Sequence, residues 1–318
     1  MPITRDQVAK QANVSSATVS RVFNNPESVS EQLRNKVLKV ARELNYIPNK
    51  AASQLRRSGT GVIGVVKINK VNRLYYWGSL KLFDWFYAQA QKGMLKAIEN
   101  TSYQLSFYSI NSKEELLNIS NKVDGIVGYD IDNDVEESFF EDLKIPYVLA
   151  HHICPNNKYM HVSTDNEYGG MLQGKYLKNN KVENPIYITG FVDEVLSHQQ
   201  RLKGIQSVYP SIHVKEIDFL NKKILHQIIS NLKSEIKSNQ YDGIAFVNDL
   251  LLVQIIVKLN IDLPIIGYDG APYISLINNV SSIDFHIDDI YELALSKVIS
   301  LINGNKIDGE IIRPSIIE

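Results

Sequence analysis

The chain is 318 residues long, 44% of them hydrophobic and 22% charged, with a formal net charge of −1. That length is about two ordinary domains, and the apolar content is ample for a buried core. A single cysteine, Cys154, excludes an internal disulfide and most thiolate metal sites. The longest apolar region, Leu250 to Leu259, is interrupted by Gln254 and Lys258, so no segment reads as a membrane span. The start "MPITRDQVAK" is too polar for a signal peptide, and a cytoplasmic protein is expected. The near-zero charge hides an asymmetry: residues 1–60 hold ten Lys/Arg against four Asp/Glu, and the remainder holds 24 against 31. A basic segment ahead of an acidic body points to a phosphate-binding head joined to a domain with another task.

The head reads as three short helices. Thr4 with Gln7 three residues later forms a capping box, and Val8, Ala9 and Ala12 make the inner stripe of the first helix. Asn13 suits a tight left-handed turn. Ser15 is an N-cap for a second helix whose buried side is Val19, Val22 and Phe23. A third helix follows Ser30, with Leu33, Val37, Val40, Ala41 and Leu44 on one face. It ends near Asn45, because Pro48 disfavours helical geometry in the residue before it. The outer face of the second helix, in "ANVSSATVSRVFNN", is small and polar. Such a face can enter a major groove and bond base edges and phosphates, so the three helices fit a helix-turn-helix unit; the competing reading is an ordinary solvated face on a small helical domain.

The runs "TRDQVAKQANVSSATVSRVFNN" and "VARELNYIPNKAASQLRR" resemble the DNA-binding head of the lactose-repressor/galactose-repressor family. The resemblance rests on the V-S-x-x-T-V-S-R-V segment, the N-Y-x-P-N segment and the A-x-x-L helix after it. It implies that Ser16, Ala17 and Arg21 read bases, while Ser15, Thr18, Asn24, Tyr46 and Asn49 hold phosphates, with Thr4 at the head of the first helix. Arg21 can donate two bonds to guanine, and Ala17 offers a methyl contact. Residues 49–57, "NKAASQLRR", would form a hinge helix too short to be stable alone. In it Ala52 lies on the DNA side and Leu55 wedges into the minor groove, kinking the operator. The competing reading of Leu55 is a core leucine beside the linker.

From Gly61 onward, short Val/Ile-rich runs alternate with helix-length segments. The candidate strands are "GVIGVV", "YQLSFY", "DGIVGY", "PYVLA", "PIYITG", "DGIAFV", "LPIIGY" and "SSIDF". This alternation predicts parallel sheets built from βαβ units. Asp124-Gly125-Ile126 recurs as Asp242-Gly243-Ile244, and Ile145-Pro146 recurs as Leu263-Pro264. Both pairs share one offset, which favours two similar lobes over one continuous sheet. Facing lobes place their strand ends around a cleft, where open α/β sheets bind ligands.

The body resembles the same family's effector domain, which is related to periplasmic sugar-binding proteins. By that resemblance Arg201 in "HQQRLKGI", Asn248 in "FVNDLL" and Asp269 in "IIGYDG" bond sugar hydroxyls, and Phe219 lies against the ligand ring. His151 falls where relatives often carry an aspartate, Asp165 lies near a lobe crossover, and Phe285 stands where many relatives have glutamine. Residues 67–87 form an aromatic-rich first loop. It is either extra sugar-stacking surface, with Asp84, Trp85 and Tyr87 as candidates, or a dimer contact. A sugar suits such a set, because charged planar groups pair with vicinal hydroxyls and an aromatic ring takes the C–H face. The competing readings are an inter-lobe ion pair for Arg201, a strand-end cap for Asp269 and a core position for Phe219. His151 and His152 lack a third ligand at metal-binding spacing.

The expected organisation is therefore an all-α head and a two-lobed α/β body of the periplasmic-binding-protein kind. Residues 1–48 form the head, 49–60 the hinge helix and linker, and 61–318 the effector-binding and dimerisation domain. Within the last, lobe 1 is about 61–163 plus 288–318 and lobe 2 about 164–287. The expected function is a transcriptional regulator, most simply a repressor of a carbohydrate-utilisation operon. Its partners are near-palindromic operator duplex DNA, a small sugar such as a galactoside, and a second copy of the chain. A dimer is expected because no leucine-heptad helix follows "IIRPSIIE". No cofactor, metal, membrane partner or catalytic residue is expected. The alternatives are the same architecture answering a non-sugar ligand or a partner protein, and a two-lobed α/β enzyme with an accessory DNA-binding head. The second lacks a phosphate loop and a nucleophile elbow.

Overall fold

The computed structural model describes residues 3–24, 26–44, 46, 59–69, 84–129, 131, 134–151, 160–190, 195–217, 222–259 and 261–317. It divides into two compact units, Met1–Gly61 with Asn100–Tyr103, and Val62–Glu99 with Gln104–Glu318. The hinge positions Asn49, Ala52 and Leu55, together with Phe219, His152 and Cys154, lie outside the described residues, as does most of the aromatic first loop.

The head holds α1 (Arg5–Ala12), α2 (Ser16–Asn24) and α3 (Glu31–Glu43). The capping box opening α1 is formed: Gln7 N donates to Thr4 Oγ1 at 3.3 Å, and Thr4 N donates to Gln7 Oε1 at 2.7 Å. Asn13 closes α1 in the left-handed region (φ 51°, ψ 53°) and donates its N–H to the carbonyls of Ala9 and Lys10. Val8, Ala9, Ala12, Val19, Val22, Val37 and Ala41 make one small core. Phe23 is only half-buried and packs edge-on against Tyr46 at 5.7 Å between centroids. Leu44, Val40 and Leu38 likewise flank this core rather than fill it.

Among the described residues the body holds two six-stranded sheets. The first takes β1 (Val62–Ile68), β2 (Gln104–Ile110), β3 (Gly125–Tyr129), β4 (Tyr147–His151), β5 (His161–Thr164) and β11 (Glu310–Ile312), in the spatial order β11-β5-β4-β3-β1-β2. The second takes β6 (Pro185–Thr189), β7 (His213–Glu216), β8 (Gly243–Phe246), β9 (Ile265–Tyr268), β10 (Val280–Asp284) and β12 (Ser315–Ile317), in the order β12-β10-β9-β8-β6-β7. Neighbouring strands are parallel except β12, which runs antiparallel to β10. The chain passes from one sheet to the other three times: after β5, after β10, and between β11 and β12. The eight strands expected from apolar runs are all present. The four not expected are short: β5 is "HVST", β7 the polar "HVKE", and β11 and β12 have three residues each.

The repeat at constant offset is structural. β3 and β8 occupy the same place in their sheets, as do β4 and β9. Ile126 N donates to Pro146 O in the first lobe as Ile244 N donates to Pro264 O in the second.

Helices cover the sheets. α4 (Asp84–Ile98), α5 (Lys113–Ser120) and α10 (Ile287–Ile302) contact the strands of the first sheet or one another. α6 (Asn166–Asn179), α7 (Leu196–Gln206), α8 (Lys222–Lys237) and α9 (Asp249–Ile256) come from the second lobe's sequence. α6 and α7 cross with their backbones touching. A Cβ on Gly170 would lie 2.0 Å from the carbonyl oxygen of Arg201, and one on Gly204 would lie 2.0 Å from that of Glu167. No side chain fits there, so glycine at both positions sets how closely α7, and Arg201 on it, approaches α6.

Candidate functional site

The first group of expected residues gathers at the start of α2. Ser15 is its N-cap: Thr18 N donates to Ser15 Oγ at 3.0 Å, and the Ser15 and Thr18 hydroxyls are 2.9 Å apart. Both hydroxyls are therefore engaged locally. Ser16, the first helical residue, donates its hydroxyl to Asp6 Oδ1 on α1. Ala17 and Arg21 are exposed, one turn apart on the face opposite the buried Val19 and Val22. Asn24 closes α2, and its side chain lies outside the described residues. Tyr46 donates its N–H to Ala41 O at 2.8 Å, and partial burial raises its hydroxyl's pKa.

The second group lies at the C-terminal ends of β8 and β9, next to the point between β6 and β8 where the strand order reverses. Arg201 is buried on α7. Its Nη1 donates to Val247 O at 2.8 Å and reaches Asp269 Oδ1 at 3.4 Å, while its Nε donates to Asn166 Oδ1 at 3.0 Å. Its guanidinium carbon sits 3.7 Å from the centroid of the Tyr268 ring. Asn166, Val247, Tyr268 and Asp269 all belong to the second lobe, so this ion pair lies within a lobe rather than between lobes.

Asn248 is buried and caps α9, its Oδ1 accepting from Leu251 N at 2.9 Å. Asp269 follows β9 with φ +120°, a region costly for any residue with a Cβ. Its N–H donates to Ile283 O at 2.8 Å. Burial raises its carboxyl to about 7, against the opposing pull of Arg201. Asp249 is completely buried beside it and accepts from Ala271 N and Ser282 Oγ, each at 2.8 Å. A Cβ on Gly267 would lie 2.0 Å from Asp249 Oδ1, so glycine on β9 makes room for this carboxylate. Burial, and then the neighbouring Asp269, hold Asp249 well above the ordinary carboxylate range.

The third group is aromatic and, Phe285 apart, belongs to the first lobe. His151 ends β4 with φ +91° and packs between Phe86 (5.0 Å) and Phe285 (5.2 Å). Phe86 meets Tyr129 and Tyr291 edge-on. Tyr87 stacks on Tyr129 at 5.7 Å, and Lys67 Nζ donates to its hydroxyl at 2.6 Å. Asp84 is exposed at the start of α4. Phe285, between β10 and α10, also lies 6.4 Å from Tyr268 in stacked orientation, so one aromatic series runs from Arg201 to Phe86. Asp165 caps α6, accepting from Tyr168 N at 2.9 Å.

The structure thus unites Arg201, Asn248 and Asp269 in one lobe, and Tyr87 and His151, through Phe86, in the other. Sequence reasoning gave no role to Asn166, Tyr268 or Phe86. Tyr268 directly precedes Asp269, and that adjacency is the only signal it offers. Asn166 and Phe86 are joined to the site by folding alone. Among the described residues no cluster of His, Cys, Asp and Glu could hold a metal, and no helix is long and apolar enough to cross a membrane.

A helix-turn-helix head is joined in sequence to a body of two doubly wound lobes. Residues 4–49 match the family model described as "Bacterial regulatory proteins, lacI family". Catabolite control protein A of Priestia megaterium is 30% identical over 213 residues, 64% of this chain but only 60% of that protein's own length. The sucrose operon repressor of Lactococcus lactis subsp. lactis is 28% identical over an alignment covering 96% of this chain and 95% of that protein. A structure of the lac repressor dimer bound to operator and the anti-inducer ONPF superposes with a TM-score of 0.63 at 20% identity, covering 100% of this chain and 98% of that one. Family likeness is thus carried by the head, residues 4–49, and the body shares its fold with the solved structure.

Proposed function

We propose that this protein is a sequence-specific DNA-binding repressor of a carbohydrate-utilisation operon, controlled by a small sugar. The observation that carries the reading is the buried Arg201–Asp269 pair at the strand ends of one lobe, together with the aromatic wall of the other. Arg201 and the Asn248 amide supply donors, Asp269 supplies an acceptor, and the half-buried Tyr87 ring, backed by the buried Phe86, offers a surface for a sugar's C–H face. Asp84 and His151 contribute polar groups from the first lobe, and Phe219 a further ring.

In the head, Ser16, Ala17 and Arg21 read base edges. Thr4, Ser15, Thr18, Asn24, Tyr46 and Asn49 hold the backbone, and Ala52 and Leu55 engage the minor groove. Two copies read a near-palindromic operator. The relatives support this: one is a sucrose operon repressor, and the lac repressor was captured as a dimer on its operator. The protein works in the cytoplasm as a regulator without catalytic activity. Ligand changes the relative disposition of the lobes, and coupling of about 1–3 kcal/mol shifts operator affinity 5- to 150-fold.

The test is a titration of sugars and nucleobases against the full chain bound to a duplex selected from a random pool. One sugar is expected to change the duplex affinity at least fivefold, and Asp269→Ala to abolish that response while leaving DNA affinity intact. If no sugar moves the affinity, or a nucleobase alone does, the carbohydrate reading fails.

A further inference from the structure

The start of α2 carries a contact that none of the roles above requires. Asp6, in the first turn of α1, receives the Ser16 hydroxyl on Oδ1. The same oxygen lies 3.7 Å from Arg5 Nη2. A serine hydroxyl has one hydrogen and two lone pairs, whereas a carboxylate only accepts. The hydrogen of this bond can therefore come only from Ser16. Once given to Asp6, it leaves Ser16 Oγ with lone pairs alone to present outward. The Asp6 side chain is 76% exposed and both contacts use Oδ1, so Oδ2 is a further acceptor in the same place. The two residues therefore form a small patch that accepts hydrogen bonds and donates none.

The major groove answers such a patch selectively. Cytosine presents an N4 amino group there and adenine an N6 amino group, whereas guanine presents only N7 and O6 and thymine only O4. Lone pairs facing the last two meet lone pairs. We propose that Asp6 is a specificity-setting residue: by holding the Ser16 hydroxyl hydrogen, it makes the start of the reading helix an acceptor-only surface that selects cytosine or adenine and rejects guanine and thymine at one position of each half-site. This rests on the base-reading role of Ser16 proposed above. Asp6 acts as a positioning residue and also as a charge that works against the phosphate backbone. Arg5, holding the same carboxylate oxygen, partly offsets that charge.

A purely structural role, that of an acidic residue favouring a helix N-terminus, would alter stability and leave base preference untouched. The experiment therefore reads preference. The full-length protein, its Asp6→Ala variant and its Ser16→Ala variant are each used to select from a randomised duplex pool, and the bound fractions are sequenced. The wild type is expected to enrich cytosine or adenine at one position per half-site. Asp6→Ala frees the hydroxyl to donate and is expected to lower that enrichment about tenfold at that position alone. Ser16→Ala is expected to do the same, and an unchanged preference in it overturns the proposal even if Asp6→Ala does not fold. A wild-type motif that reappears unchanged in both variants overturns the proposal while leaving base reading by α2 intact. A wild type that enriches no sequence overturns base reading itself, and this proposal with it.

Discussion

The two lobes share a strand order, a repeated backbone bond and a repeated sequence pair, yet their strand ends carry opposite chemistry. In the first lobe the ends of β3 and β4 are occupied by Tyr129 and His151, packed among Phe86, Phe285 and Tyr291. In the second, the ends of β8 and β9 lead into Asn248, Asp249 and Asp269, set against Arg201. A duplicated scaffold fixes where a site can form and leaves its chemistry to the few residues just past each strand. One lobe stabilises its strand ends by aromatic burial, the other by a charged network that is favourable only while every member is partnered.

That contrast can be broken by mutation, beginning with the largest effect. Arg201→Ala leaves Asp269, Asn166 Oδ1 and Val247 O without their buried donor. It should cost about 3–5 kcal/mol, read as a lowered urea midpoint, and it should also abolish the sugar response. Phe86→Ala removes a ring only 1% exposed and should cost about 3–4 kcal/mol, without altering how stability depends on pH. If both variants changed the pH profile alike, the division into an aromatic and a charged lobe would be wrong. Gly204→Val forces a side chain into the backbone contact between α6 and α7. It should cost about 1–3 kcal/mol and weaken ligand binding through the displaced Arg201, as calorimetry would show.

The pH dependence itself sharpens the comparison. With its carboxyl raised from 3.8 to about 7, Asp269 holds a proton in the folded chain that the unfolded chain has already released. The folded state binds more protons across that interval, so stability should fall as pH rises from about 4 to 7. Asp249, raised in the same direction, adds to the slope. Urea midpoints at pH 5 and 8 check this, and Asp269→Asn should flatten the difference in part. The smallest effect belongs to the head: Thr4→Ala removes the capping box of α1 and should cost about 1 kcal/mol, measured as a lower thermal midpoint.

Much of this was legible in the residues. Thr4 and Gln7 gave the cap, Asn13 the left-handed turn, and the recurrence of Asp-Gly-Ile the two-lobed body. These signals are local, or repeat at one offset, and need no knowledge of what lies across the chain. Arg201, Asn248 and Asp269 could be picked out only through a family resemblance. Phe86, Tyr268 and Asn166 could not be picked out at all, since a ring in a helix or strand reads as ordinary core until its neighbours are known. The weak strands β5, β7, β11 and β12 were missed for a related reason: three or four residues carry too little periodicity, and pairing with a neighbour creates them.

The sequence by itself determined the helix caps, the apolar periods and the order of alternating elements, because those depend on backbone preferences and on side chains a few residues apart. Only the tertiary structure decided that Asp249 and Asp269 lie buried side by side, that Arg201 is paired within its own lobe, and that Asp6 takes the hydroxyl hydrogen of Ser16. Each is a contact between segments brought together by packing, and its energy depends on the distance and burial that packing sets.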